Sequence, residues 1–171
     1  MSLPDVNEDT ASMAANALLN LIDNNKIDPT TIGRIYMGTE SALDASKPTA
    51  TYALAPVEKI LAASYGERCF KNCDVLDMTF ACIGAVDALE NCLDWVRCNP
   101  SRKAIVIASD TAKYELESPG EYTQGAGAVA MLIGSDPSII SFKSSIGISM
   151  KHVSDFFKPR RKLDNTFLKT K

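Results

Sequence analysis

The sequence predicts an α/β fold built on a mixed sheet with helical crossovers. Between residues 9 and 109, segments of helical and strand period alternate as α, β, α, β, α, β. A length of 171 residues with 46% apolar content is enough to fill one domain core. Two more strand-like runs, Ala126 to Ile133 and Ser138 to Lys143, flank the turn Gly134-Ser135-Asp136-Pro137.

The elements follow in order. From Asp9 or Thr10 to Asp23, Ala11, Ala14, Ala15, Leu18, Leu21 and Ile22 recur at helical spacing; Asp9 or Thr10 caps the start and Asn24-Asn25 ends it. Arg34 to Gly38 reads as a short buried strand. A loop carrying Glu40 and Asp44 leads to Pro48, which can open a helix running through Leu54, Val57, Ile60 and Leu61 to Tyr65-Gly66. Asp74 to Phe80 is the next strand, Cys82 to Arg97 a helix stopped by Asn99-Pro100, and Ala104 to Ser109 (AIVIAS) a third strand. In the helix from Cys82, Val86, Leu89, Leu93 and Val96 are expected to face the core, with Asp87, Glu90, Asn91, Asp94 and Arg97 in water.

Charge and cysteines narrow the function classes. Residues 151 to 171 hold seven Lys/Arg against two Asp/Glu, a basic end of +5; the remainder holds eleven against nineteen and carries −8. Such a basic end could meet phosphate or an acidic partner, but Lys162 to Lys171 lack periodicity and read first as a solvated or frayed terminus; neither nucleic acid nor membrane is an expected partner. No apolar run reaches the length of a membrane span and MSLPDVNEDT lacks a signal-peptide pattern, which makes the cytoplasm the expected location. Five cysteines, at 69, 73, 82, 92 and 98, form no C-x-x-C pair, and His152 is the one histidine. Neither a metal site nor a disulfide framework is expected, and Cys69, Cys73, Cys92 and Cys98 read as small buried hydrophobes.

Cys82 differs by position. It stands where an apolar strand gives way to a helix, and the unpaired N–H groups of a first helical turn favour a thiolate and can hold a developing oxyanion. The competing reading is one more buried thiol; Ala81, Gly84 and Ala85, which leave room for an acyl chain, favour a nucleophile. Glu40, in Gly38-Thr39-Glu40-Ser41 at the end of the first strand, lies toward the same sheet edge and could act as a general base. The run Gly120 to Ala128 places paired glycines before a strand, where they permit close backbone approach.

Taken together, GTESALDASKP, DMTFACIGAVDAL, IASDTAKYEL and GEYTQGAGAVAMLI resemble the hydroxymethylglutaryl-CoA synthase family in its bacterial version, in order from about Pro4 to Arg161. The resemblance implies a thiolase-like fold of two related α/β halves, of which residues 1–161 supply most of the first, followed by a basic tail at 162–171. It implies a condensation of acetyl-CoA with acetoacetyl-CoA through an acetyl-cysteine, as in the mevalonate route to isoprenoid precursors. Both CoA thioesters are substrates and no cofactor is implied. Cys82 matches the acylated cysteine, Glu40 the acid/base carboxylate, and Asp110, Tyr114 and Thr123 positions lining the acyl pocket. Family members are commonly homodimers that pair through a sheet edge.

Several elements of the family pattern fall outside the 171 residues: the first strand and helix, and a phenylalanine-flanked histidine of the second half. His152 is not that histidine; it precedes the DFF-[K/R]-P segment. The chain is therefore expected to expose apolar surface that the second half would cover, and to retain at most slow acetyl transfer to Cys82 rather than full turnover. The alternatives are an inactive fragment or structural partner, and a carrier-protein-dependent β-branching synthase of polyketide pathways. A ketoacyl synthase, which usually pairs its cysteine with histidines, fits GTES less well. A redox or metal module fits worst, because Cys82 and Cys92 start too far apart along a helix to bridge.

Overall fold

The computed structural model describes residues 2–142 and 147–159, and the backbone of 166–167. Of the expected tail only Thr166–Phe167 is described, and its backbone pairs antiparallel with Phe156–Phe157 instead of running free; the boundary before the tail lies outside the described residues. Helix α1 spans Thr10–Asn25. Its start is fixed reciprocally: Asp9 Oδ1 accepts the Ser12 N–H at 2.7 Å while Ser12 Oγ accepts the Asp9 N–H at 2.8 Å. Lys26, at φ 51°, closes the helix in the left-handed conformation. Strand β1 (Ile32–Gly38), helix α2 (Thr49–Tyr65), strand β2 (Asp74–Met78), helix α3 (Gly84–Arg97) and strands β3 (Lys103–Ala112) and β4 (Gly125–Ile133) follow.

The sheet order is β2-β1-β3-β4. Strands β1, β2 and β3 run parallel, and β4 pairs antiparallel with β3. Alternation along each strand divides the core in two. Ile35, Met37, Ile105, Ile107 and Ala130 meet α1 and α2 on one face, while Tyr36, Ala104, Val106, Met131 and Ile133 meet α3 on the other. The functional consequence lies at the strands' carboxyl ends, where β1, β2 and β3 deliver their loops to one rim.

The first turn of α2 is held from a distance. Pro48 precedes it without a side-chain cap, and the Asp77 carboxylate on β2 accepts the N–H groups of both Thr49 and Ala50, the latter at 3.0 Å. A carboxylate bridging two first-turn amides complements the helix dipole as well as two orphan donors. Asp77→Ala is expected to lower stability by about 1–2 kcal/mol, read as a shift of the urea midpoint at constant slope, with Asp77→Asn losing less.

Three expectations require correction. Residues 138–142 form no strand: Ile139 and Phe142 are exposed, and neither β4 nor any other described strand pairs with them. An apolar run acquires strand structure only where a ladder partner meets it; Lys143 lies outside the described residues. Val86 is 55% exposed, and Leu89 and Leu93 are only partly buried, while Gly84, Ala88 and Cys92 take the inner face of α3 beside the expected Val96. Cys98 is exposed just past the end of α3, and Cys73 is only partly buried, whereas Cys69 and Cys92 are buried as expected. Among the described residues, no helix is long and apolar enough to cross a membrane.

Candidate active site at the strand-to-helix corner

Cys82 occupies a single 3₁₀ turn, Ala81–Ile83, between β2 and α3 rather than the first turn of the helix itself. Ala81 enters that turn at φ 38°, a left-handed conformation that a residue with a side chain adopts at a cost. The sharp corner leaves Cys82 exposed. The amides of Ile83 and Gly84 both donate to the Phe80 carbonyl at 3.0 Å, so both are engaged within the corner itself.

Two glycines make the corner possible. A Cβ on Gly84 would collide with the Met78 carbonyl oxygen, and one on Gly38 would overlap the Ala85 backbone. The absent side chain of Gly84 thus admits β1 and β2, not an acyl chain as the sequence implied. Close seating of α3 on the end of β1 brings the Glu40 loop beside Cys82, and Thr39 ties the neighbouring strand end by donating its N–H to Met78 O at 3.1 Å.

Asp110 organises that loop. Strand β3 runs on past Ser109 to Ala112, and the pairing of Gly38 with Ala108 sets Asp110 opposite the start of the loop. Its Oδ1 accepts the Glu40 N–H at 2.7 Å and the Thr39 hydroxyl at 2.8 Å. Thr39 Oγ1 in turn accepts the Ser41 N–H at 2.9 Å, and Ser41 Oγ accepts the Thr111 N–H at 3.1 Å. Burial raises the Asp110 carboxyl above its ordinary range, against the lowering effect of the Glu40 amide and the Thr39 hydroxyl.

Tyr114 is the meeting point. Burial, then its electrostatic coupling to Glu40 and Cys82, raises the Tyr114 phenol above its ordinary range, while Thr123 acts in the opposite sense. The Gln124 side-chain carbonyl accepts the Tyr114 N–H at 3.2 Å, and the Phe156 ring stacks on Tyr114 with centroids 6.4 Å apart. Thr123 donates to Gly120 O at 2.7 Å. Cys82, Glu40, Tyr114 and Thr123 therefore converge, while Asp110 stands one layer back, holding the Glu40 loop. Sequence reasoning missed Gln124, Phe156 and Lys158, whose Nζ donates to Glu40 O at 2.7 Å; TQG and DFFKP were the segments that carried them. The paired glycines of β4 make no close approach to another strand: Gly127 faces open space, and Gly125 is in ordinary contact with Ser2.

A mixed sheet that presents a cysteine at such a corner, with a carboxylate and a tyrosine beside it, defines a thiolase-like protein. The chain belongs to the hydroxymethylglutaryl-CoA synthase family: residues 1–138 match the family model described as hydroxymethylglutaryl-coenzyme A synthase N terminal. It is 41% identical over 162 residues to the hydroxymethylglutaryl-CoA synthase of Haloferax volcanii, covering 94% of this chain and 35% of that one. To the Enterococcus faecalis enzyme it is 34% identical over 159 residues, covering 93% and 38%. The solved structure of MvaS in complex with 3-hydroxy-3-methylglutaryl coenzyme A superposes with a TM-score of 0.86 at 30% identity, over 98% of this chain and 38% of that one. The curacin-pathway HMG synthase in complex with acetyl donor-ACP gives 0.81 at 25% identity, over 98% and 40%. The chain thus spans about a third of the length of the curated relatives it matches.

Proposed function

We propose that this chain carries the acyl-accepting half of a hydroxymethylglutaryl-CoA synthase. The Cys82 sulfur attacks the thioester carbonyl of acetyl-CoA; a sulfur–carbon bond forms, the CoA thiol leaves, and the acetyl group rests on Cys82. Glu40 then takes a proton from the acetyl methyl, and the resulting carbanion equivalent adds to acetoacetyl-CoA. Tyr114 and Thr123 line the acyl pocket, and Asp110 holds the Glu40 loop. The reading needs no resident cofactor or metal. Addition to the second substrate draws on the larger part of the family's length, so acetyl transfer is the step proposed for this chain by itself. A cytoplasmic setting is supported by five thiols that are free in the structure, and a homodimer by the open outer edge of β2.

The observation that carries the reading is an exposed Cys82 on the corner that follows β2, at the rim where Thr39 is tied to Met78 O and Glu40 to Asp110 Oδ1. Intact-protein mass spectrometry after incubation with acetyl-CoA tests it. One acetyl increment is expected on the wild type and on Cys98→Ala, which removes the other exposed thiol, and none on Cys82→Ala. An increment that survives Cys82→Ala, or no increment on folded wild type, rejects the reading. A carrier-protein-borne acetyl group is the second reading, supported by the likeness to the curacin-pathway synthase; faster loading from an acetylated carrier protein than from acetyl-CoA would favour it.

A further inference from the structure

Glu40 lies two residues beyond the end of β1, outside the sheet's hydrogen-bond ladder. A catalytic base there needs its backbone fixed by other means, because misplacement by about 1 Å can cost roughly 100-fold in rate. Asp110 fixes one side of the residue by accepting its N–H. The other side is fixed from far along the chain: Lys158 Nζ donates to the Glu40 carbonyl at 2.7 Å across a sequence separation of 118.

A lysine side chain loses much rotamer freedom when held in one geometry, and its ammonium ordinarily stays in water. Lys158 instead is partly buried and directed at a single carbonyl. Two residues earlier, Phe156 stacks on Tyr114. The segment from Phe156 to Lys158 therefore grips the site at two points, the loop that bears Glu40 and the ring whose phenol neighbours Cys82.

We propose that Lys158 is a positioning residue which, by taking the Glu40 carbonyl while Asp110 takes the Glu40 amide, aims the Glu40 carboxylate at the acetyl group carried by Cys82. The inference rests on the acetyl-cysteine reading above. It assigns Lys158 an effect on the proton-transfer step: the methyl carbon–hydrogen bond breaks, its electron pair stays with the acetyl group as an enolate, and the proton goes to Glu40. A lysine that merely anchored its own segment would leave that step unaltered once acetyl is loaded.

The test is deuterium entry into the Cys82-bound acetyl methyl in D₂O, measured on the acetylated peptide after proteolysis in H₂O and expressed per acetyl loaded. Lys158→Met is expected to lower this ratio about 10-fold or more, and Lys158→Arg, which keeps a charged donor, to restore most of it. The second readout is independent of activity: the amide resonance of Ser41, whose N–H shares its peptide group with the Glu40 carbonyl, should move in Lys158→Met and less in Lys158→Arg. A ratio within about twofold of wild type in Lys158→Met, or an unmoved Ser41 amide, overturns the proposal. If wild type takes no acetyl, the acetyl-cysteine reading is what has failed; the Ser41 amide then decides the Lys158 tether by itself.

Discussion

Glu40→Gln is expected to slow deuterium entry into the Cys82-bound acetyl group about 100-fold or more, normalised to the acetyl loaded. The amide keeps the size and shape of the carboxylate and leaves the backbone tether untouched, because Asp110 and Lys158 hold Glu40 through its N–H and carbonyl rather than its side chain. What it lacks is a basic oxygen. Loading of acetyl uses the Cys82 sulfur, so the two steps separate in one experiment. An exchange rate per loaded acetyl close to wild type in Glu40→Gln would remove Glu40 as the base and direct attention to other groups around the Tyr114 phenol.

Much of the fold was legible because local periodicity and burial coincide. Ala14, Leu18 and Ile22 on α1, and Ile105 and Ile107 on β3, are apolar at the spacing of their elements and are buried. Legibility ended where the deciding partner is distant. The Ser138 to Lys143 run has strand composition, yet its meaning depends on a ladder partner that the sequence does not name. The buried stripe of α3 was legible at Val96 but not at its start, for a related reason. Large residues such as Val86 mark a core face only when a helix sits at ordinary distance; α3 seats close on β1, so the small residues Gly84, Ala88 and Cys92 take the inner positions.

The candidate site divides in the same way. Cys82 and Glu40 were readable from element boundaries, since both fall where a strand gives out toward the sheet's rim. Asp110, Tyr114 and Thr123 came from resemblance, and their arrangement did not: Asp110 acts on the loop through Thr39 and the Glu40 amide, and Tyr114 gathers the other groups. Contacts such as Lys158 to Glu40 and Asp77 to Thr49 join residues far apart in the chain, and no periodic pattern encodes them.

Gly38→Ala is expected to be the most damaging glycine-to-alanine change among the described residues. The added Cβ would overlap the nitrogen and Cα of Ala85 and stand 2.5 Å from the Gly84 carbonyl carbon. All of these are backbone atoms, so no change of rotamer relieves the clash; β1 and α3 must separate, and the small-residue seam of Ala88 and Cys92 against the sheet opens with them. The cost should reach the top of the roughly 1–3 kcal/mol range for overpacking or exceed it, read as a fall in the urea midpoint. Gly127→Ala is the control, since its Cβ would meet nothing within 4 Å and its stability should stay within about 0.5 kcal/mol of wild type. Separation of β1 from α3 also draws the Glu40 loop away from Cys82, so the folded fraction of Gly38→Ala should exchange acetyl-methyl protons more slowly per acetyl loaded. Equal midpoints for the two glycine variants would mean that the seam yields, and that close seating of α3 does not set the geometry of the site.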